Sequence, residues 1–236
     1  MDLLVTLAVI PARGGSKRIP RKNIVDFHGQ PMLAWTVLAA LGCDAIDEVV
    51  VSTDDREIEA AALAAGASSL GLRQAVADDD SPSSLVSNYE LERFVHATGR
   101  EVETVVQLLP TCPLRTSRWV TELLKAHRDA PQRPRLSAHS PVGGNPWWSA
   151  TLAPDGTPEF HHPKALSQRS QDLPEVVVPN GGVWVISASQ LREYSTFYAP
   201  GFVLHEIPWI AGFDIDTPAE LELARLLAPA VLNHPA

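Results

Sequence analysis

The sequence predicts an α/β fold, a doubly wound and mostly parallel sheet with helices on both faces, and three observations predict it. Short apolar runs alternate with longer stretches of helical pattern. The runs are continuously apolar, as expected of strands buried on both faces. Gly, Pro and Asp punctuate the joints, and a glycine-bearing, cation-rich stretch follows the first run at once.

Residues 3–10 form the first strand, ended by Pro11. Pro31 opens a helix to Leu41 whose broad apolar face includes Met32, Leu33, Trp35 and Val37. A second strand occupies 49–53; Asp54 or Asp55 caps the helix at 57–65, and Gly66 ends it. A polar loop with Arg73 and residues 78–84 leads into a further helix that Ser83 or Ser84 would cap. Residues 104–109 and 118–128 continue the alternation as strand and helix. Between Pro131 and Pro179 prolines are dense, and 148–152, Asp155-Gly156 and 158–161 read as a hairpin. We therefore expect one domain spanning 1–236 with a small insertion at about 135–180. Strands at 182–186 and 202–207 and a helix at 218–227 complete it. Right-handed crossovers bring the loops that follow the strands to one edge of the sheet, where open α/β sheets bind ligands.

The composition suits this picture: 236 residues, 45% hydrophobic and 20% charged, are enough for a substantial core. A formal net charge of −9 argues against coating nucleic acid, which requires clustered cations. Cys43 and Cys112 show neither pairing nor metal-ligand spacing and read as buried thiols, which points to a reducing cytoplasm. The apolar N-terminus has no positive flank and ends far short of a span of about 20 residues, so neither an export signal nor a membrane segment is expected.

Chemistry concentrates in two places. The loop after the first strand carries five cations, Arg13, Lys17, Arg18, Arg21 and Lys22, around Gly14, Gly15 and Ser16. Glycines let backbone amides approach an anion, and the cations can neutralise a polyphosphate. The spacing matches neither the Walker loop nor the dinucleotide glycine fingerprint. Taken alone, the charge run also fits a solvated loop; its place at the ligand edge favours phosphate. The second place is Asp214-Ile215-Asp216. In extended chain, residues two apart share a face, so the two carboxylates can converge on a hard cation such as Mg²⁺. The alternative is that Asp216 or Thr217 only caps the last helix. His161 and His162, adjacent on a strand, would face opposite ways and do not suggest a metal site.

The stretch Ile10-Pro-Ala-Arg-Gly-Gly-Ser-Lys-Arg-Ile-Pro-Arg-Lys-Asn-Ile24 resembles the signature of the acylneuraminate (CMP-sialic acid synthetase-like) cytidylyltransferase family. Further blocks follow in that family's order: Phe27 to Leu33, Val51-Ser-Thr-Asp-Asp55, Leu109-Pro-Thr-Cys-Pro-Leu-Arg115, Arg169 to Pro174, Pro179-Asn-Gly-Gly182 and Phe213-Asp-Ile-Asp-Thr217. The resemblance implies a Rossmann-like nucleotidyltransferase that converts CTP and an acidic substrate to a CMP conjugate and pyrophosphate, with Mg²⁺ as cofactor. It implies nucleotide contacts from Arg13, Gly14, Gly15, Ser16, Lys17, Lys22, Asn23, Arg73 and Ser83, and metal contacts from Asp214 and Asp216, with Arg13, Lys22 and Asp216 catalytic. Arg169 and Asn180 would meet the acid, and Phe197 and Tyr198 would reach a partner subunit's site in a homodimer whose contact is the insertion.

Departures concern the acceptor. Leu109 stands where sialate enzymes usually carry Gln, with Gln107 two residues earlier, and 143–148 lacks a lysine often found there. Arg169-Ser-Gln-Asp172 looks closer to the pseudaminate-activating branch, and Pro179-Asn-Gly181 to the sialate branch. A sialic, pseudaminic, legionaminic or other sugar acid, or a phosphonate, fits at this level, and a non-catalytic nucleotide or sugar-acid sensor is the alternative class.

Overall fold

Strand β1, Val5–Pro11, shows why the chain folds as it does. Leu7 and Val9 turn to one face of the sheet and Ala8 and Ile10 to the other, and all four are buried. An unbroken apolar run therefore needs a cover on both sides. The computed structural model describes residues 4–75 and 82–232.

After β1 the chain makes a 3₁₀ turn at Lys22–Ile24 and a tiny hairpin pairing Asp26–Phe27 with Gln30–Pro31. There follow α1 (Met32–Leu41), β2 (Glu48–Ser52), α2 (Arg56–Ala64), α3 (Ser83–Thr98), β3 (Val102–Gln107), α4 (Ser117–Arg128) and β4 (Arg135–His139). A small hairpin of β5 (Ala150–Leu152) and β6 (Pro158–Phe160) precedes β7 (Val178–Ser187), α5 (Ala188–Tyr194), β8 (Val203–Glu206) and α6 (Pro218–Leu232).

The main sheet has the order β8-β4-β7-β3-β1-β2. The pairings β1–β2, β1–β3 and β4–β8 are parallel, and only β7 runs against its two neighbours. The mostly parallel sheet is thus as expected. One face is covered by α1, α2 and α4 through Leu33, Val37, Ile58, Val120 and Leu123. The other is covered by α3 and α5 through Leu91, Phe94 and Leu191. A third cluster packs Leu221 and Ala224 of α6 against Ile19, Phe27, Leu114 and Ile215, beneath the cation-rich loop.

The insertion is shorter than expected. Residues 135–139 and 178–181 belong to strands of the main sheet, so the segment outside it is 140–177. Strand β4 escaped notice because Arg135, Ser137 and His139 interrupt its apolar residues and prolines precede it. The hairpin within the insertion is present, and the indole Nε1–H groups of Trp147 and Trp148 donate to the carbonyls of Pro174 and Ala165 (3.0 Å each). Among the described residues no helix is long and apolar enough to cross a membrane.

Candidate active site

The C-terminal ends of β1 and β3 open onto a cleft of about 380 Å³. One wall is the basic loop, contributing Arg13, Ser16, Lys17, Arg18, Lys22 and Asn23. The rest of the lining is Leu109, Pro110 and Thr111 with Asp214 and Asp216. The two chemical elements, separated by about two hundred residues in sequence, therefore meet in one cleft.

Backbone contacts fix the loop. Ala12 N donates to Ser52 O (2.8 Å), and Gly14 N donates to the Asp54 carboxylate (2.8 Å). A Cβ on Gly14 would stand 3.0 Å from an Asp55 oxygen, so glycine lets the loop lie on this acidic turn. Asp55 is thereby the helix cap, accepting from Glu57 N and Ile58 N, and Asp54 serves the loop instead. Asn23, buried, donates from Nδ2 to Arg13 O at 2.8 Å and closes the loop on itself. Arg21 adopts a left-handed backbone (φ 53°), held by ion pairs to Glu57 (2.7 Å) and Asp55 (3.4 Å). That turn carries the chain into the 3₁₀ turn containing Lys22. Gly15 is exposed on the loop, and neither glycine lines the cleft.

The carboxylates are positioned by the residue between them. Ile215 is fully buried against α6, a side-chain burial stabilising by about 1.5–3 kcal/mol, and its N–H donates to Thr111 O (2.9 Å). Its neighbours on either side line the cleft. The helix cap is Thr217: Glu220 N donates to its hydroxyl (3.3 Å), while Glu220 accepts from Asp216 N (2.8 Å) and Thr217 N (2.7 Å). This reciprocal capping box, legible in Thr217-Pro-Ala-Glu220, frees the Asp216 side chain from capping.

The two carboxyls titrate apart. Asp214 keeps an exposed face in the cleft, but the protein packed around it withdraws part of its hydration and the negative neighbour Asp216 adds to this, so its pKa lies above the ordinary carboxylate value. Burial would also raise Asp216, but the hydrogen bond and charge of Lys22, then Arg18, outweigh it and hold it low. Lys22 Nζ lies 2.9 Å from Asp216 Oδ1 and 3.0 Å from Ile215 O, and Arg18 Nη2 lies 3.0 Å from Asp216 Oδ2.

Other expected site residues lie elsewhere. Arg73 is buried under the β2 end, its Nη1 donating to Ser52 Oγ at 3.1 Å, and burial lowers its pKa. Residues 76–81 of the expected nucleotide loop lie outside the described residues. Gln107 and Ser83 bond to each other (3.0 Å), and Gln107 also accepts from Ser87 (2.8 Å), fastening α3 to β3. Gln107 is thus fully buried, on strand, while Leu109 beyond it lines the cleft. Asn180 accepts from Ser137 Oγ (2.6 Å) and Gly182 N (3.0 Å) and contacts His139 Nδ1 (3.0 Å), at the irregularity where β4 and β7 shift register. Arg169 is exposed in the insertion and does not line the cleft. Phe197 is fully buried against Trp184 in its own chain's core, which corrects the expectation that it reaches a partner; Tyr198 beside it is 45% exposed.

Sequence reasoning missed Arg115, which is fully buried and donates to Leu109 O (3.3 Å) and Gly182 O (2.5 Å), pinning the cleft's apolar side to β7. Burial lowers its pKa to about 10. Burial, with Asp214 nearby, raises the Cys112 thiol, which leaves it an unreactive thiol, and Cys43 is likewise free and buried.

A family model described as Cytidylyltransferase matches residues 7–138, from within β1 to within β4. The sequence is 30% identical over 228 residues, 97% of each chain, to pseudaminic acid cytidylyltransferase of Campylobacter jejuni subsp. jejuni serotype O:23/36. It is 29% identical over 227 residues, 94% of this chain and 95% of the relative, to CMP-N,N'-diacetyllegionaminic acid synthase of Legionella pneumophila. Among solved structures, CMP:2-keto-3-deoxy-manno-octonic acid synthetase complexed with CTP superposes with a TM-score of 0.68 at 23% identity, covering 96% of this chain and 99% of that one, which shows a shared fold.

Proposed function

The chain belongs to the cytidylyltransferase family, and from that premise we propose that it transfers CMP from CTP to a nonulosonic sugar acid, releasing pyrophosphate. One observation carries the proposal: four cations, Arg13, Lys17, Arg18 and Lys22, line a single cleft together with the Asp214/Asp216 pair. The names of the two relatives above specify pseudaminic and N,N'-diacetyllegionaminic acids, which supports a sugar acid of this type as acceptor.

In this reading Arg13, Ser16, Lys17 and Lys22 bind the triphosphate and keep the α-phosphorus open to the acceptor. A hydroxyl oxygen of the acid attacks that phosphorus and gives up its proton to solvent, while the bond from the α-phosphorus to the oxygen bridging it to the β-phosphorus breaks and that oxygen leaves with pyrophosphate. Arg13 and Lys22 meet the charge that grows on the departing pyrophosphate. The Asp214/Asp216 pair suits Mg²⁺: both offer hard oxygen donors, and the elevated Asp214 marks a place where a second negative charge is uncomfortable without a cation. When bound there, Mg²⁺ supplies charge neutralisation and alignment of the polyphosphate. Leu109 gives the cleft an apolar contact for the acceptor; Arg169 lies outside this lining and would serve the acid's carboxylate only if the insertion moved toward the cleft or came from a partner chain. A homodimer would bring a partner's Tyr198 and insertion to the site.

Pyrophosphate release with CTP, Mg²⁺ and a panel of sugar acids and phosphonates, with mass spectrometry of the products, tests this. Formation of a CMP–sugar acid is expected. Tight CTP binding with turnover on none of the acids would replace the transferase with a sensor.

A further inference from the structure

Resting on the reading that Asp214 and Asp216 hold a divalent cation, we propose that Arg18 and Lys22 are exchangeable counter-cations for Asp216, so that nucleotide and metal enter the cleft cooperatively. Each oxygen of Asp216 already carries one cation: Lys22 on Oδ1 at 2.9 Å, Arg18 on Oδ2 at 3.0 Å. Both cations belong to the loop that receives the polyphosphate in the proposed reaction. A divalent ion arriving alone meets a carboxylate neutralised by two positive charges, and like-charge repulsion opposes it. A triphosphate offers the same two side chains stronger anionic partners; as they turn to it, both oxygens of Asp216 become available. The exchange requires no opening of the core, because the Arg18 and Asp216 side chains are 63% and 40% exposed. Lys22, only 16% exposed and also held by Ile215 O, is the firmer of the two. Arg18 thereby acquires a positioning role that its place in the basic run alone does not distinguish.

The test uses Mn²⁺ as the probe, with free ion counted by electron paramagnetic resonance, on the full chain without nucleotide. Arg18→Gln is expected to tighten Mn²⁺ binding on the order of tenfold, and Lys22→Met in the same direction. Adding Asp216→Asn to Arg18→Gln removes the gain. Conversely, calorimetry in chelator should show Asp216→Asn binding metal-free tripolyphosphate several-fold more tightly than the parent, since its cations are released; site linkage requires the two effects to appear together. Mn²⁺ affinity unchanged or weakened by both single substitutions overturns the exchange while leaving the metal pair standing, provided that Asp216→Asn alone abolishes Mn²⁺ binding. A gain that survives Asp216→Asn overturns both the exchange and the metal assignment.

Discussion

The cleft and the 140–177 insertion are built by opposite means. Around the cleft the loops are fastened through backbone atoms: Gly14 N on Asp54, Asn23 on Arg13 O, Lys22 on Ile215 O, Arg115 on Leu109 O. Beneath it Ile215 and Leu114 are fully buried. In the insertion, short 3₁₀ turns and a three-residue hairpin leave Val142, Trp148, Leu152 and Leu166 exposed. The family match covers the region before the insertion and stops at residue 138, inside β4. On the proposed reading, the contrast teaches that precision belongs to handling the polyphosphate, where misplacing a charge is costly, while the insertion leaves apolar side chains exposed.

If that contrast is right, the greatest effect should come from one cleft carboxylate. Asp216→Asn is expected to lower kcat for CMP transfer by roughly a hundredfold or more with the fold intact, read by pyrophosphate release alongside circular dichroism. A mild loss would mean that the pinned geometry does not serve the chemistry.

Next comes the support of the cleft. A Cβ at Gly212 would stand 2.4 Å from Asn180 Cγ and Nδ2, and Asn180 is held by its own bonds to Ser137, His139 and Gly182. Gly212→Ala is expected to destabilise by about 1–3 kcal/mol in urea unfolding. Gly181→Ala makes an equally close approach, but to the tip of the Leu109 side chain, which can rotate; it should cost less and be relieved by Leu109→Ala. Equal costs for the two would break the distinction between pinned and yielding neighbours.

A smaller effect should follow pH. His127 is buried, and burial lowers its pKa below the ordinary value near 6.5; it donates through Nδ1 to Arg133 O (3.2 Å). The unfolded chain therefore binds this proton more readily than the folded one. Its contribution to stability is present above about pH 6.5 and is lost as pH falls through the lower folded value. His127→Gln should flatten the dependence of Tm on pH between about 7 and 5. In the insertion, Leu152→Ser, replacing a side chain 68% exposed, should change stability by no more than about 0.5 kcal/mol. A larger loss on dilution of the parent chain would show that the exposed surface is buried in an oligomer.

Much of this was legible in the sequence, and the reasons are local. β1 and β2 announce themselves as apolar runs, and Arg13 to Asn23 and Asp214-Ile-Asp216 stand out because charge gathers at joints. What could not be read depends on tertiary partners. Gln107 looks like a ligand residue until Ser83 and Ser87 are seen to consume its amide. Asn180 looks the same until the register shift at Ser137 places a hydroxyl beside it that donates to its amide oxygen. Phe197 and Tyr198 are neighbours in sequence, yet one is core and the other surface, a division no single-residue pattern encodes. β4 lacks the apolar continuity of its neighbours and gains its place by pairing.

The lone antiparallel strand has a further consequence. β4 arrives at the ligand edge at His139, and β7 departs from the same edge at Val178, the two residues facing each other in register. The excursion between them thus begins and ends at one doorway. Its length and content can drift in a lineage without changing the direction, order or register of any strand behind it, so whatever the excursion contacts can be rewritten while the cleft at the ends of β1 and β3 is inherited unchanged.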